Sequence, residues 1–215
     1  MTQAFIAAFT GTAIEFFETL VIAYAIVRAG YAREAWSAVV LGHALVFAFA
    51  VVLFPLRDAL PLQWLRLVAA LLLTAMGLHW TQKSLRRLLA GRRPRWAQDP
   101  LGKLSIAPAA GGGAAAPFSW WVFIVMAKSS LVEAGEILIV VFPIAAATAA
   151  IGPVIAGVVA GIAAVCLPAL LLHRRLHSVP EVKLKLAVGL LLSALGLSWL
   201  FELHDEGGLP ALPWN

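Results

Sequence analysis

Pro61-Leu-Gln-Trp-Leu-Arg-Leu-Val-Ala-Ala-Leu-Leu-Leu-Thr-Ala-Met-Gly-Leu-His-Trp80 aligns without a gap on Pro180-Glu-Val-Lys-Leu-Lys-Leu-Ala-Val-Gly-Leu-Leu-Leu-Ser-Ala-Leu-Gly-Leu-Ser-Trp199. Ten of the twenty positions are identical, and Arg66/Lys185 and Thr74/Ser193 are close substitutes. Leucine-rich segments can match by chance, but here proline, glycine and tryptophan hold the same places. A second match lies at nearly the same offset, Ile14-Glu-Phe-Phe-Glu-Thr-Leu20 on Val132-Glu-Ala-Gly-Glu-Ile-Leu138. The chain therefore reads as an internal duplication.

Around these segments the chain is too apolar for a water-facing surface. Of its 215 residues 62% are hydrophobic and 13% charged, with mean hydropathy +0.92, against about a quarter charged in soluble domains. Six apolar stretches reach the ~20 residues that cross a bilayer: Phe5–Arg28, Ala35–Leu56, Trp64–Leu85, Trp120–Ala147, Ile151–His173 and Lys183–Leu203. Trp36, Trp64, Trp120 and Trp121 lie near proposed ends, as headgroup-level aromatics do. Three spans per repeat is an odd number, so the second copy must be inverted. The predicted fold is an all-α integral membrane protein, with six transmembrane helices as two inverted three-helix repeats, an architecture common among transporters. Residues 1–90 and 118–215 form the repeats. Residues 91–117 join them, beginning basic and turning into an Ala/Gly/Pro tract that reads as a flexible linker.

The net charge of +5 does not indicate nucleic acid, because the basic residues cluster in connections between spans. The first, third and fifth connections hold Arg28 and Arg33; Lys83, Arg86, Arg87, Arg92, Arg93, Arg95 and Lys103; and Arg174, Arg175, Lys183 and Lys185. Only Arg57 and Arg66 stand on the other side, a ratio of 13 to 2. The positive-inside rule then places both termini outside the cytoplasm, in what reads as a bacterial inner (plasma) membrane. The N-terminus lacks the basic n-region of a signal peptide. The single cysteine, Cys166, lies in an apolar run and forms no disulfide within the chain.

Only four acidic residues fall well inside spans: Glu15, Glu18, Glu133 and Glu136. A charge at the bilayer centre costs at least ~2.5 kcal/mol. Two glutamates three apart share one helix face, so each pair adds its own repulsion. Either one carboxyl of each pair stays protonated, or a cation binds between them. If the first and fourth spans cross antiparallel, both pairs meet in an all-oxygen site suited to hard or borderline cations such as Ca²⁺, Mn²⁺ or Fe²⁺. The bland alternative is four neutral glutamates hydrogen-bonded to Thr10, Thr12, Ser129 or Ser130. Matched acids in both repeats argue against it, since packing alone does not call for them. Thr12, Ser129, Ser130 and His43 are accessory candidates. His43 is either a proton carrier or ligand, or a hydrogen-bonded packing residue. Lys128 is either a counter-ion of the site or a side chain snorkelling to the headgroups.

Glu133-Ala-Gly-Glu136 and Glu15-Phe-Phe-Glu18, in the first and fourth spans of a 3+3 inverted repeat, resemble the Golgi-type calcium/manganese–proton exchangers of the lysine-exporter-like superfamily. The signature of that family is Glu-x-Gly-Asp-Lys/Arg-Thr/Ser. The third span, ending Ala75-Met-Gly-Leu-His-Trp-Thr-Gln-Lys-Ser-Leu85, is also similar to that family's third helix. Thr19-Leu20 and Ile137-Leu138 stand where the family has a basic residue and a hydroxyl. The oxidase-coupled iron permeases, with Arg-Glu-x-x-Glu, are a more distant likeness, Ile14 and Val132 replacing the arginine. The resemblance implies proton-coupled exchange of a divalent cation, carried as substrate and not as a tightly bound cofactor. The expected partners are the lipid bilayer, the metal ion and protons, with a homo-oligomer compatible and no nucleic acid. Rival readings are an exporter of a cationic amino acid or small organic cation, and a non-transporting membrane subunit. An intramembrane enzyme finds no support, because His-Glu-x-x-His and Gly-x-Ser-x-Gly are both absent.

Overall fold

The computed structural model describes residues 2–94, 99–108, 117–148, 151–172 and 180–205. Among them every regular element is helical: α1 (Thr2–Arg28), α2 (Ala32–Leu53) followed by a 3-10 turn (Phe54–Ala59), α3 (Leu62–Leu89), a short α4 (Pro100–Leu104), α5 (Trp120–Ala147), α6 (Gly152–Leu172) and α7 (Glu181–Asp205). Six helices are long and apolar enough to cross a membrane, α4 being the exception. The protein is thus a six-helix membrane protein. Its outward surface is hydrocarbon, with Phe47, Val52 and Val40 among the many exposed apolar side chains. In water this would be an aggregation surface; in lipid it costs nothing.

The helices pack in exchanged pairs: α1 lies against α6 of the second half, α2 against α5, and α3 runs along α7. Small residues allow this closeness, as is usual where no hydrophobic drive exists between membrane helices. At the α3–α7 seam a Cβ on Gly77 would collide with the backbone and hydroxyl of Ser193, and one on Gly196 with those of Thr74. Gly77 and Gly196 are matched in the alignment above, and so are Thr74 and Ser193. Each contact is therefore the other turned over, as a two-fold axis between antiparallel helices requires. The hydroxyls repeat the pattern. Thr74 Oγ1 donates to the Ala70 carbonyl and Ser193 Oγ to the Gly189 carbonyl, both at 2.8 Å. The α1–α6 and α2–α5 contacts correspond likewise, Gly161 packing on Thr12 and Gly42 on Ser130.

The segment between the repeats differs from a plain linker where it is described. Asp99 Oδ1 accepts the Gly102 N–H at 2.9 Å and caps α4. Leu101, Leu104 and buried Ile106 pack with Ile22, Ile26 and Met126, so apolar side chains anchor this stretch to α1 and α5. The Ala/Gly/Pro tract at 109–116 lies outside the described residues. Two buried acids tie connections down. Glu34 Oε1 accepts the Ser119 N–H at 2.8 Å, just before α5. Glu181 receives Arg93 in a two-point pair of 2.8 and 2.7 Å, which raises the Arg93 guanidinium pKa above its ordinary value.

Candidate functional site

Glu15 is the fourteenth of the 27 residues of α1, and Glu133 the fourteenth of the 28 of α5. The two acidic faces therefore meet where α1 and α5 pack at mid-helix. One carboxylate oxygen each of Glu15, Glu133 and Glu136 lies within 4.8 Å of the others. Glu15 is wholly buried, and Glu18 and Glu133 nearly so. Both oxygens of Glu15 lack a hydrogen-bond donor. An anionic group in that condition inside a protein is costly unless something cationic neutralises it.

The neutralising group is Lys185, on α7. Its Nζ donates to Glu18 Oε1 at 2.8 Å and lies 2.7 Å from Glu15 Oε1 and 3.7 Å from Glu136 Oε2. The Glu15 contact is an ion pair. The ammonium also lies 4.8 Å from the centre of the Trp80 ring, within the range of a cation–π contact. Trp80 Nε1 donates to Glu136 Oε2 at 3.1 Å. Two carboxylates on α1, two on α5, an indole on α3 and an ammonium on α7 thus form one cluster.

The structure brings together three of the four predicted glutamates in a ligand-like group, with Glu18 joined to them through Lys185. It corrects the assignment of Lys185 to the fifth connection. The residue is buried within a helix, so it leaves the loop charges behind the 13-to-2 asymmetry. The reason is charge: three carboxylates within 3.7 Å neutralise an ammonium that lipid cannot. Lys128 is correspondingly not the counter-ion. It is exposed, beside Phe123, Ile124, Ala127, Leu131 and Val132, at a shallow hollow of about 400 Å³ on the outer face of α5.

The hydroxyls do not satisfy the acids. Thr10 donates to the Ile6 carbonyl, Thr12 Oγ1 is buried without a partner, and Ser130 Oγ donates to the Val39 carbonyl. Ser129 is half-buried and makes no hydrogen bond to a glutamate. His43 sits beside Ser130, its Nδ1 3.0 Å from the Val39 carbonyl and 3.1 Å from Ser130 Oγ, with its ring edge-on to Phe16. It packs in the α2–α5 interface, while its Nε2 is buried without a partner.

Set against protein-family models, curated proteins and solved structures, the chain matches none. Sequence reading missed Lys185 and Trp80, although both are matched in the repeat, to Arg66 and Trp199. A basic residue inside a duplicated apolar segment was the available signal.

Proposed function

We propose that the protein is a secondary transporter that exchanges a divalent cation, Mn²⁺ or Ca²⁺ or else Fe²⁺, for protons at the glutamate cluster. The observation that carries this reading is the convergence of Glu15, Glu133 and Glu136 oxygens within 4.8 Å, with Glu15 wholly buried. Oxygen-only donors at that spacing suit a hard cation, whose ligands sit ~2.0–2.6 Å away. Buried charge must stay balanced, so cation entry is linked to the departure of other positive charge. Exchange follows from that linkage. The resemblance to the calcium/manganese–proton exchangers supports the same cargo. The basic asymmetry supports termini outside the cytoplasm of a bacterial inner membrane.

A second reading has its own observation. An ammonium held by two carboxylates and an indole face, as Lys185 is here, is also how an organic ammonium is recognised. The cargo would then be a cationic amino acid or small amine.

Uptake into proteoliposomes decides between them, with Mn²⁺, Ca²⁺, Fe²⁺ or a cationic amino acid outside, with and without a pH gradient. We expect Mn²⁺ or Ca²⁺ uptake driven by the gradient and abolished in Glu18→Gln and Glu136→Gln, which keep shape but remove one charge each. Well-folded variants that transport as the unaltered protein does would make the carboxylates structural and end this reading.

A further inference from the structure

Lys185 does more in this structure than neutralise a cluster. Its ammonium draws on Glu15 and Glu136, two of the three carboxylates whose oxygens converge tightly enough to close on an ion. A bound ion and the ammonium would compete for the same carboxylates, and two positive charges a few ångströms apart repel strongly away from water. Occupancy by one excludes the other.

We propose that Lys185 is a tethered competitor for the cation site, an internal ammonium that fills the glutamate cluster between transport cycles and withdraws when the transported cation enters. The inference rests on the functional reading above, that these glutamates bind the cargo. It adds what keeps the site from standing as an open leak.

The fold supplies a place for the ammonium to go. Helix α7 begins at Glu181, so Lys185 lies one turn, about 6 Å, from the helix end. Helical side chains lean toward the N-terminus, which directs the lysine stem that way. Glu181 is four residues before Lys185 on the same face, and glutamate preceding lysine at this spacing is the favourable order. In the present state Glu181 is occupied by Arg93, at 2.8 and 2.7 Å. Withdrawal of Lys185 toward Glu181 would loosen that pair, linking site occupancy to the segment that follows α3. The stem is flexible and its head a point charge, as a reversible occupant needs. An arginine there would grip two carboxylates at once and release them less readily.

The test is Mn²⁺ binding, followed by electron paramagnetic resonance on the purified full-length protein in lipid nanodiscs. It compares the unaltered chain with Lys185→Met and Lys185→Arg. A tethered competitor lowers apparent affinity by the fraction of time it is absent, and a minor state is typically populated at about 0.1–10%. Lys185→Met should therefore bind Mn²⁺ on the order of 100-fold more tightly, and Lys185→Arg no more tightly than the unaltered chain. If Lys185→Met folds and binds Mn²⁺ with unchanged affinity, the competitor role is wrong while the cation site stands. If none of the three binds Mn²⁺, the cation-site reading fails and this inference with it. Should Lys185→Met not fold, Lys185→Arg still decides, because tighter Mn²⁺ binding by that variant contradicts a competing head group.

Discussion

Replacing Glu15 by Gln separates a carboxylate that holds helices together from one that holds a substrate. Glu15 is wholly buried and its Oε1 lies 2.7 Å from the Lys185 ammonium, so a purely structural account makes its loss severe. Removing one partner of a buried pair ordinarily costs about 3–5 kcal/mol, because the other charge is left uncompensated. Here that penalty is largely absent. With an effective dielectric of about 20, the 2.7 Å pair is worth about 6 kcal/mol of attraction, gross of solvation. Each neighbour that is ionised also repels Glu15, by at least about 3.5 kcal/mol for oxygens within 4.8 Å, as those of Glu133 and Glu136 are. With two neighbours ionised, the repulsion relieved, about 7 kcal/mol, offsets the attraction lost. Lys185 stays neutralised by Glu18 at 2.8 Å. Glu15→Gln should thus shift the unfolding free energy by no more than about 1.5 kcal/mol, within the ordinary range for point mutants. Mn²⁺ affinity should fall at least about 100-fold, since even outer-shell partners of a metal are worth ~10–100-fold. Thermal unfolding and Mn²⁺ binding on the same nanodisc preparation read both quantities. A variant destabilised by more than about 3 kcal/mol that binds Mn²⁺ normally would show Glu15 to be an anchor for Lys185 and refute the reasoning.

Two further outcomes test the scaffold. Gly77→Leu should destabilise the protein by at least ~1–3 kcal/mol, read as a lowered unfolding temperature, because its Cβ already meets the Gly189 carbonyl at 2.6 Å. Gly135→Ala, with nothing within 4 Å of its Cβ, should be tolerated even though it lies in the Glu-x-x-Glu motif. With Cys166 replaced by Ala, an impermeant thiol reagent on intact cells should label a cysteine at Gln3 and not one at Ser105. The reverse pattern would invert the orientation.

The helices were legible because apolar length is nearly sufficient to define a membrane span. The boundaries moved by a few residues, as at α3, where Leu62–Leu89 extends beyond Trp64–Leu85. The glutamates were legible for a different reason. An acid inside a span has no use for lipid, so it must face something polar, and repeat matching predicted that the two pairs face each other. Lys185 carried only a weak signal, a basic residue inside a duplicated apolar segment. It stands five residues after Pro180 at the edge of a span, where a lysine in water and a lysine folded inward look alike in sequence. Lys128 misled in the opposite direction, lying deeper in its span yet pointing outward. Depth along a helix is written in the sequence, whereas the direction around the axis depends on which neighbour packs there.

The same distinction explains why the duplication reported the packing better than the charge. Where α3 meets α7, both halves contribute the same small residues, and the contact closes on itself: Gly77 against Ser193, Gly196 against Thr74. A self-complementary seam can be inferred from either copy alone. The charge arrangement is not self-complementary. Lys185 reaches the glutamates beside Trp80, while its counterpart Arg66 is half-buried near the start of α3, and Trp199 packs against the apolar cluster containing Leu73, Val140 and Ile144. An ammonium and a guanidinium differ in how they grip carboxylates, so the two ends of the scaffold are chemically distinct although their backbones correspond. Symmetry therefore accounts for how the helices converge, and the broken symmetry of one lysine accounts for the ammonium that sits among the glutamates.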